Sequence, residues 1–271
     1  MKQAISRRVL RKATLSLKTD WSFVRQCGID PPQVDVRSQV TRVEFVDHGR
    51  PVPAYLKLYT YRKHPFQRIF RLGRSYYECR NLLFFKSLGI PAARALAWGK
   101  HRNPIGRITE EFIVTEALEG AIPLHQYVRE QRPGALDAAR IARRIGRWLR
   151  DLHAHGFYHK DLHWRNILVR KSDGRIELGL IDCPRGDFHR LGPIRRHWRL
   201  KDCATLDKYA HALFPLSARA VFLRHYLGAG RGSPAFERWS RRIPDYRRLR
   251  FDQRKGRSKV RPLDPDAPLP D

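Results

Sequence analysis

The chain has 271 residues, 42% of them hydrophobic, which is enough to bury a sizeable core in one bilobal domain or two small ones. Lysine and arginine number 55 against 26 acidic residues, and the formal net charge of +29 attracts polyanions such as nucleic acid, anionic lipid headgroups or a phosphorylated substrate. The apolar runs are too short to span a bilayer, and the N-terminus lacks the apolar segment of a signal peptide. We therefore expect a cytoplasmic protein, free or bound to a membrane surface.

The first half of the chain is predicted to combine strands with one helix, after a basic leader over residues 1–30. The predicted elements are strands over 40–46, 52–59 and 110–118, a turn over 47–50 and a helix over 75–91. The first strand alternates β-branched and aromatic residues with polar ones, and the turn contains a glycine. Gly89 stands where a helix C-cap is expected, before a proline that prevents continuation.

The second half is predicted to be mostly helical, with one small hairpin. The predicted elements are a helix over 135–156, strands over 167–170 and 176–182 joined by a turn over 172–174, and helices over about 201–214 and 217–227. The helix over 135–156 has an apolar face, formed by Ile141, Ile145, Leu149 and Leu152. This order suggests two lobes with a hinge near residues 115–120, followed by a basic tail whose Pro-rich end is predicted to be disordered.

The stretch HGFYHKDLHWRNILV, residues 155–169, carries the chemistry that phosphoryl transfer requires. Such a reaction needs a carboxylate near the attacking hydroxyl and hard oxygen ligands for Mg²⁺. In the pattern H-x-D-x-x-x-x-N, Asp161 would face the hydroxyl and Asn166 would bind the metal. Asp182, at the end of the next strand, would be the second metal ligand, because the predicted hairpin brings it close to Asn166.

A cation for the non-reacting phosphates is expected from the first half of the chain. Lys57 lies inside the apolar strand AYLKLY, where a lysine can either extend outward from an edge strand or point towards phosphates. Glu78, polar among the apolar residues of the following helix, would hold Lys57 in the second case. Arg165, just before Asn166, could reach the transferred phosphate.

These elements stand in the order of the protein-kinase signature set, and the chain resembles the bacterial lipopolysaccharide kinases, the Kdo and heptose kinases of the lipid A–core region. The resemblance covers about residues 35–230. The stretches that carry it are YLKLY (55–59), ECRNLLFFKSLGIPAARALAWG (78–99), FIVTEAL (112–118), HGFYHKDLHWRNILV (155–169), LIDCPRG (180–186), RHWRLKDCATL (196–206) and ARAVFLRHYLG (218–228).

The resemblance implies an α+β, bilobal, protein-kinase-like fold with a small β-rich N-lobe containing one main helix and a larger, mostly helical C-lobe. The implied division is a basic leader (1–30), a nucleotide-binding N-lobe (31–117), a catalytic C-lobe (118–240) and a basic, then Pro-rich tail (241–271). It also implies ATP and Mg²⁺ as cofactors, and a heptose or Kdo hydroxyl of lipopolysaccharide core, or of a lipid-linked precursor, as acceptor.

The resemblance assigns a role to each candidate residue. Lys57 and Glu78 would be the ion pair, and Asp161 the catalytic base. Asn166 and Asp182 would bind metal, and Asp202 would brace the catalytic loop. The backbone of Glu116, Ala117 and Leu118 would meet adenine.

The sequence departs from the kinase pattern at three places. The region before Lys57 contains no G-x-G-x-x-G, and the candidate phosphate-covering turn, around residues 37–41, lacks glycine. Asp182 is followed by Cys183 and Pro184 rather than Phe-Gly, which suggests a rigid segment. His163 occupies a position where many protein kinases have a lysine, and Arg165 could substitute for that lysine.

Cysteines and histidines offer a zinc site as an alternative. The relevant residues are Cys27, Cys79, Cys183, Cys203, His153, His155, His159 and His163. The cysteines form no CxxC pair, so structural thiols in a reducing compartment are favoured over disulfides or zinc. We expect His159 to pack inside the loop and the other three histidines, like Asp151, to be solvated.

Two basic clusters are candidates for binding a polyanion. The first comprises Arg195, Arg196, Arg199 and Lys201, and the second comprises Arg241, Arg242, Arg247, Arg248, Arg250, Arg254, Lys255, Arg257 and Lys259. We interpret them as contacts with core phosphates and an anionic membrane surface on the cytoplasmic face of the inner membrane. No nucleic-acid-binding motif is present, so nucleic acid is not the expected partner. Two alternatives stay open: a kinase-like enzyme with a protein or small-molecule acceptor, and a noncatalytic, nucleic-acid-binding pseudokinase.

Overall fold

The computed structural model describes residues 6–26, 38–61, 72–172 and 174–252. The chain divides into two compact units. Unit 1 comprises the residues up to Ala121 together with Gly179–Gly186, and unit 2 comprises Ile122–Leu178 and the residues from Asp187 onward. Cys27 and the Pro-rich end of the chain, for which we made predictions, lie outside the described residues.

The strands are β1 (Gln39–Asp47), β2 (Arg50–Thr60), β3 (Ala95–Arg102), β4 (Ile108–Glu116), β5 (Ile122–Pro123), β6 (Phe157–Tyr158), β7 (Ile167–Ser172), β8 (Arg175–Leu180) and β9 (Asp187–Phe188). The α-helices are α1 (Arg7–Ser16), α2 (Ser22–Gln26), α3 (Arg74–Ser87), α4 (Leu124–Gln131), α5 (Ala135–Ala154), α6 (Gly192–Leu213), α7 (Leu216–Leu227) and α8 (Pro234–Arg247). A 3-10 turn (Trp164–Asn166) precedes β7, and a π-helical turn (Arg248–Asp252) follows α8.

Unit 1 contains an antiparallel four-stranded sheet in the order β1-β2-β4-β3. Alternate residues of β2, Ala54, Leu56 and Leu58, are buried in its core, as the period of two in a strand requires. Because β2 lies between β1 and β4, Lys57 stands on a central strand and not on an edge. The leader also belongs to this unit, since the indole N–H of Trp98 on β3 donates to the Thr14 carbonyl of α1.

The turn between β1 and β2 is the tight hairpin that the sequence indicates. His48 and Gly49 have φ values of 50° and 78°, the left-handed conformation that short hairpins favour. The prediction of a phosphate-covering turn around residues 37–41 is wrong for Gln39–Thr41, because these residues pair with Leu56–Leu58 inside β1. Arg37 lies outside the described residues.

Helix α3 follows its predicted position but ends earlier, at Ser87. Its end is a Schellman motif, in which Gly89 N–H donates to the Lys86 carbonyl and Ile90 N–H to the Phe85 carbonyl. Gly89 has a φ of 67°, the left-handed value that this motif needs. The glycine therefore stops the helix before the proline is reached.

Unit 2 is built on the packing of α5 against α7, with α6 and α8 alongside. Gly146 of α5 permits this contact, because a Cβ at that position would lie 2.6 Å from the Phe222 carbonyl oxygen of α7. Two short sheets, β5-β7-β8 and β6-β9, complete the fold.

Unit 2 contains more helix than the sequence predicts. Helix α6 begins at Gly192 and not near residue 201, so the first basic cluster lies on a helix. Helix α8 and the π-helical turn include residues 241–252, which the sequence predicts to be part of the tail, and Ile243 is buried there. In the described part of the chain, no helix combines the length and the apolarity needed to cross a membrane.

Candidate active site

In unit 1, three predicted site residues lie in contact. The Lys57 ammonium is 2.5 Å from the Asp182 carboxylate and 3.6 Å from the Glu78 carboxylate. Glu78 is buried on α3 and also accepts a hydrogen bond of 2.6 Å from the Tyr59 hydroxyl. The structure thus brings together the strand lysine, the helix glutamate and the aspartate that follows β8. Tyr59 was not predicted, although its position two residues after Lys57 puts both side chains on one face of β2.

The ionisation of this group follows from its burial. Burial raises the pKa of Glu78 to about 7 and outweighs the opposing effect of the Lys57 ammonium. For Lys57, burial acts to lower the pKa, but the two carboxylates together raise it above its ordinary value. Lys57 is therefore a cation at neutral pH, whereas Glu78 exchanges its proton near neutrality.

Asp182 adopts a strained backbone conformation just after β8 ends at Leu180, not at the end of the strand as predicted. Its φ of 56° is unusual for a residue other than glycine, and such strain is often found at functional sites. The residues after it are tied to α3, because the Asn81 amide donates to the carbonyls of Cys183 (2.7 Å) and Gly186 (2.9 Å). Cys183 is fully buried. These contacts support the interpretation of a rigid segment after Asp182.

The predicted adenine-binding residues, Glu116–Leu118, begin at the last residue of β4. The Glu116 N–H donates to the Arg94 carbonyl and the Ala117 N–H to the Pro53 carbonyl. Two of the three backbone donors are therefore used within unit 1. Among these three residues, Leu118 is left as the candidate N–H donor to a nucleotide base.

In unit 2, the predicted catalytic loop is held by one buried carboxylate. Asp202 of α6 accepts hydrogen bonds from the N–H groups of His159 (2.9 Å) and Lys160 (2.8 Å), and its side chain is fully buried. The predicted role of Asp202 in bracing the loop is confirmed. Lys160 has a φ of 66°, so the residue immediately before Asp161 is held in the left-handed region by these bonds.

The loop presents Asp161 as an ionised carboxylate. Burial acts to raise its pKa, but the hydrogen bond and charge of His163, whose Nε2 lies 3.3 Å away, lower the pKa to about 2. The charges of His159 and Arg165 act in the same direction. The Asn166 amide donates to the Asp161 carbonyl at 2.9 Å, which leaves the amide oxygen to face a cation. Arg165 lies in the 3-10 turn with an exposed side chain.

The predicted solvation of the histidines needs correction. His159 is fully buried, as predicted, and Asp151 lies half-exposed beside Arg150. His153, however, is buried and contacts both Asp202 (3.3 Å) and the Tyr226 hydroxyl (2.9 Å). His163 was also expected in solvent, but it contacts Asp161. The spacing of the histidines in the sequence does not indicate these partners. The partners of His153 come from α6 and α7, and the partner of His163 comes from the loop itself.

The donor set suits a hard cation better than zinc. Within residues 6–26, 38–61, 72–172 and 174–252, no group of three or more His, Cys, Asp or Glu side chains could hold a metal by itself. Cys79, Cys183 and Cys203 are buried thiols, and burial raises the pKa of Cys79 to about 12. Mg²⁺ instead takes one or two protein oxygens and completes its shell with phosphate and water. The Asp182 carboxylate and the Asn166 amide oxygen are donors of that kind.

Comparisons with known proteins agree with a kinase-like set of site residues. The model of the lipopolysaccharide kinase (Kdo/WaaP) family matches residues 50–226. A solved structure described as WaaP in complex with acyl carrier protein is similar, with a TM-score of 0.57 at 21% identity, over 83% of this chain and 97% of that one. No curated protein matches the sequence. The small antiparallel sheet and helical remainder are consistent with a kinase-like fold.

Proposed function

The chain belongs to the lipopolysaccharide kinase (Kdo/WaaP) family, and we propose that it transfers the γ-phosphoryl group of ATP to a heptose or Kdo hydroxyl of lipopolysaccharide core or of a lipid-linked precursor. The observation that carries this proposal is the contact of the Lys57 ammonium with the carboxylates of Asp182 and Glu78. In kinases, a lysine paired with a helix glutamate binds the non-reacting phosphates, and a separate aspartate holds Mg²⁺.

The residues of unit 1 would bind the nucleotide. Lys57 would bind the α- and β-phosphates, Glu78 would hold its ammonium in place, and Leu118 N–H would donate to adenine. Asp182 would be the Mg²⁺ ligand of this unit, and Mg²⁺ supplies neutralisation of phosphate charge when it is bound. The N-lobe over 31–117 and the C-lobe over 118–240 would be the nucleotide-binding and catalytic parts.

The residues of unit 2 would orient the acceptor. With a pKa of about 2, Asp161 is ionised at neutral pH and can accept a hydrogen bond from the sugar hydroxyl. A carboxylate with so low a pKa is a weak base. Asp161 would therefore mainly align the hydroxyl and take its proton late, as the oxygen–phosphorus bond forms. Arg165, exposed next to Asn166, would bind the transferred phosphate.

Comparison of the products made in cells tests the proposal. Core oligosaccharide would be isolated from cells with and without this protein and analysed by mass spectrometry, and purified protein would be incubated with labelled ATP, Mg²⁺ and the under-phosphorylated core. We expect one phosphate fewer in the absence of the protein, and its restoration by the purified enzyme. A protein or small-molecule acceptor that is phosphorylated while the core is not would support the kinase alternative with a different acceptor.

We propose that the protein acts at the cytoplasmic face of the inner membrane, and the exposed basic residues of α8, such as Arg241 and Arg242, support this proposal. Each basic residue near an anionic surface contributes about 1 kcal/mol. Arg247 does not belong to that surface, since it is paired with Asp207 at 3.1 Å. Arg254, Lys255, Arg257 and Lys259 lie outside the described residues. Salt-dependent sedimentation with anionic but not neutral vesicles tests this location, and equal binding to RNA would favour the nucleic-acid alternative.

An acyl carrier protein is a second candidate partner, favoured by a cavity in unit 2. The cavity has a volume of about 480 Å³ and lies among α5, α6, α7 and α8. Apolar side chains line most of it, including Ile145, Leu206, Phe214 and Leu223. We infer that it accepts an acyl chain. The acylated carrier should then bind more tightly than the carrier without its acyl group, and Ala220→Phe, which fills the cavity, should remove that difference.

A further inference from the structure

Two lysine ammonium groups converge on one tryptophan ring next to the predicted catalytic loop. The Nζ atoms of Lys160 and Lys201 lie 4.9 Å and 4.7 Å from the ring centre of Trp198. All three side chains are half-buried and belong to unit 2. A cation over an aromatic ring is held in place by its attraction to the electron-rich face of the ring.

The backbone that carries this pair is fixed by the same groups that fix Asp161. Lys160 N–H donates to Asp202 at 2.8 Å, and the Lys160 carbonyl accepts a hydrogen bond of 2.7 Å from the Lys201 ammonium. These bonds hold Lys160 at a φ of 66°. Because Asp161 follows directly in the chain, the lysine pair and the carboxylate have linked positions.

The neighbouring arginines have different surroundings. Arg195 donates to the Tyr158 hydroxyl at 3.1 Å. Arg199 donates to the Tyr226 hydroxyl at 2.9 Å and lies over the Trp239 ring at 5.1 Å. The first basic cluster is therefore not uniform, since these two arginines bind tyrosines whereas the lysine pair converges on one ring.

The surroundings of Trp198 also indicate a positive potential. His189 stacks parallel to the Trp198 ring and His197 contacts it edge-on. Burial and then the charge of Lys160 lower the pKa of His189, although Asp187 opposes them. Burial, Lys201 and Arg250 lower the pKa of His197. Both imidazoles are therefore neutral at pH 7, and the lysines supply the positive charge beside the ring.

We propose that Lys160, Lys201 and Trp198 form the subsite that recognises an anionic substituent of the acceptor sugar, next to the hydroxyl that reacts. The ligand class is a sugar bearing a phosphate ester or a carboxylate. Ammonium groups act as point charges and bind either anion, while the ring offers an apolar surface to the sugar. This inference rests on the proposed function and deepens it, since the enzyme would then act on an acceptor that already carries a negative charge.

Kinetics on matched acceptors test the subsite. The variants are Lys160→Gln and Lys201→Gln, and the control is Arg143→Gln, which removes an exposed charge from α5 in the same unit. The acceptors are native core oligosaccharide, the same material after removal of phosphate esters, and the same material after reduction of carboxylates. We expect each lysine variant to raise the KM for native acceptor about fivefold, as for a half-exposed ion pair, without changing the KM for ATP. The treatment that abolishes the difference between wild type and variant identifies the anion.

Two kinetic outcomes would overturn the subsite. One is an equal rise in KM for all three acceptors, and the other is an effect no larger than that of the Arg143→Gln control. Binding without turnover separates this inference from the proposed function. Tryptophan fluorescence of the full chain would be titrated with glucose 6-phosphate, glucuronate and glucose. Saturable quenching by the anionic sugars, weakened in Lys201→Gln, supports the subsite even if no core oligosaccharide is phosphorylated; identical titrations with glucose reject it.

Discussion

The two units hold their predicted site residues in different ways. In unit 1, charged side chains bind one another, with the Lys57 ammonium 2.5 Å from Asp182 and 3.6 Å from Glu78. In unit 2, the Asp202 carboxylate binds backbone N–H groups and so positions a loop that presents Asp161 to its surroundings. The first arrangement balances charge inside the protein, whereas the second keeps an ionised carboxylate available.

This difference has consequences for mutation. Removing one member of a buried, charge-balanced group leaves its partners uncompensated, so binding and stability change together. Removing the Asp161 carboxylate leaves the hydrogen bonds of Asp202 to the loop intact. The chemical step therefore changes while the fold is retained. We therefore expect variants in unit 1 to change nucleotide binding and variants of Asp161 to change turnover.

The largest effect is expected for Asp161→Asn. The amide keeps the shape of the side chain but cannot take a proton from the hydroxyl, so kcat should fall by about 10³-fold. The KM for ATP and the unfolding temperature should change little. Steady-state transfer from labelled ATP and thermal unfolding measure the two quantities. Asp151→Asn, at a half-exposed position on α5, is the control, and a kcat for Asp161→Asn close to that of the control would contradict the assignment.

A smaller loss is expected for Lys57→Met, and it should appear in nucleotide binding. Loss of the cation removes a phosphate ligand and leaves Glu78 and Asp182 without their partner, so kcat/KM for ATP should fall by about 10²-fold. The stabilisation of the protein by Mg²⁺-ATP should disappear in a thermal-shift assay. Lys86→Met, at an exposed position on α3, is the control. Equal stabilisation of Lys57→Met and wild type by Mg²⁺-ATP would place nucleotide binding elsewhere.

The elements that present these residues were predictable where local pattern and burial agree. The alternation of apolar and polar residues in β1 and β2 and the glycine of their turn predict the hairpin. The apolar face of α5 predicts that helix. The order of lysine, glutamate and the H-x-D-x-x-x-x-N loop identifies the candidate site residues. The structure brings Lys57 and Glu78 together as expected.

The remaining features depend on contacts that no local pattern contains. The early start of α6 is hard to predict because its first turns are polar and bury little, so they lack the apolar periodicity that marks a helix. Pro193 in the first turn is the one sequence signal for this start. The strained Asp182 lies beyond its strand because Asn81 holds the segment from α3. The burial of His153 arises from contacts of α5 with α6 and α7. The surroundings of Trp198 include Lys160 from the loop and His189 from the segment after β9.

A moderate effect is expected when the anchor of the loop is weakened. In Asp202→Asn, one of the two carboxylate oxygens becomes an NH₂ group, which then faces the N–H donor of either His159 or Lys160. We expect a loss of about 3 kcal/mol in the free energy of unfolding and about a tenfold fall in kcat from misplacement of Asp161. Asp207→Asn is the matched control on α6, because it loses the pairs with Arg219 and Arg247. That control should lose stability while keeping kcat, and a parallel loss of kcat would mean that the effect is structural.

The smallest effect concerns pH and distinguishes the two units directly. Glu78 has a pKa of about 7, so its carboxylate is available to hold Lys57 above pH 7 and is protonated below. We expect kcat/KM for ATP to rise several-fold between pH 6 and 8, and Glu78→Gln to remove this rise. Asp161, with a pKa of about 2, stays ionised throughout this range.

Stability should change in the opposite direction to activity. The folded pKa of Glu78 lies above its ordinary value of 4.5, so the folded protein binds more protons than the unfolded chain between these two values. Its contribution to the free energy of unfolding therefore decreases as the pH rises from 4.5 to 7. Urea unfolding of wild type and Glu78→Gln across this range measures the difference. A stability difference that does not change with pH, together with a flat wild-type activity profile, would show that Glu78 is ionised throughout and that Lys57 is paired at every pH tested.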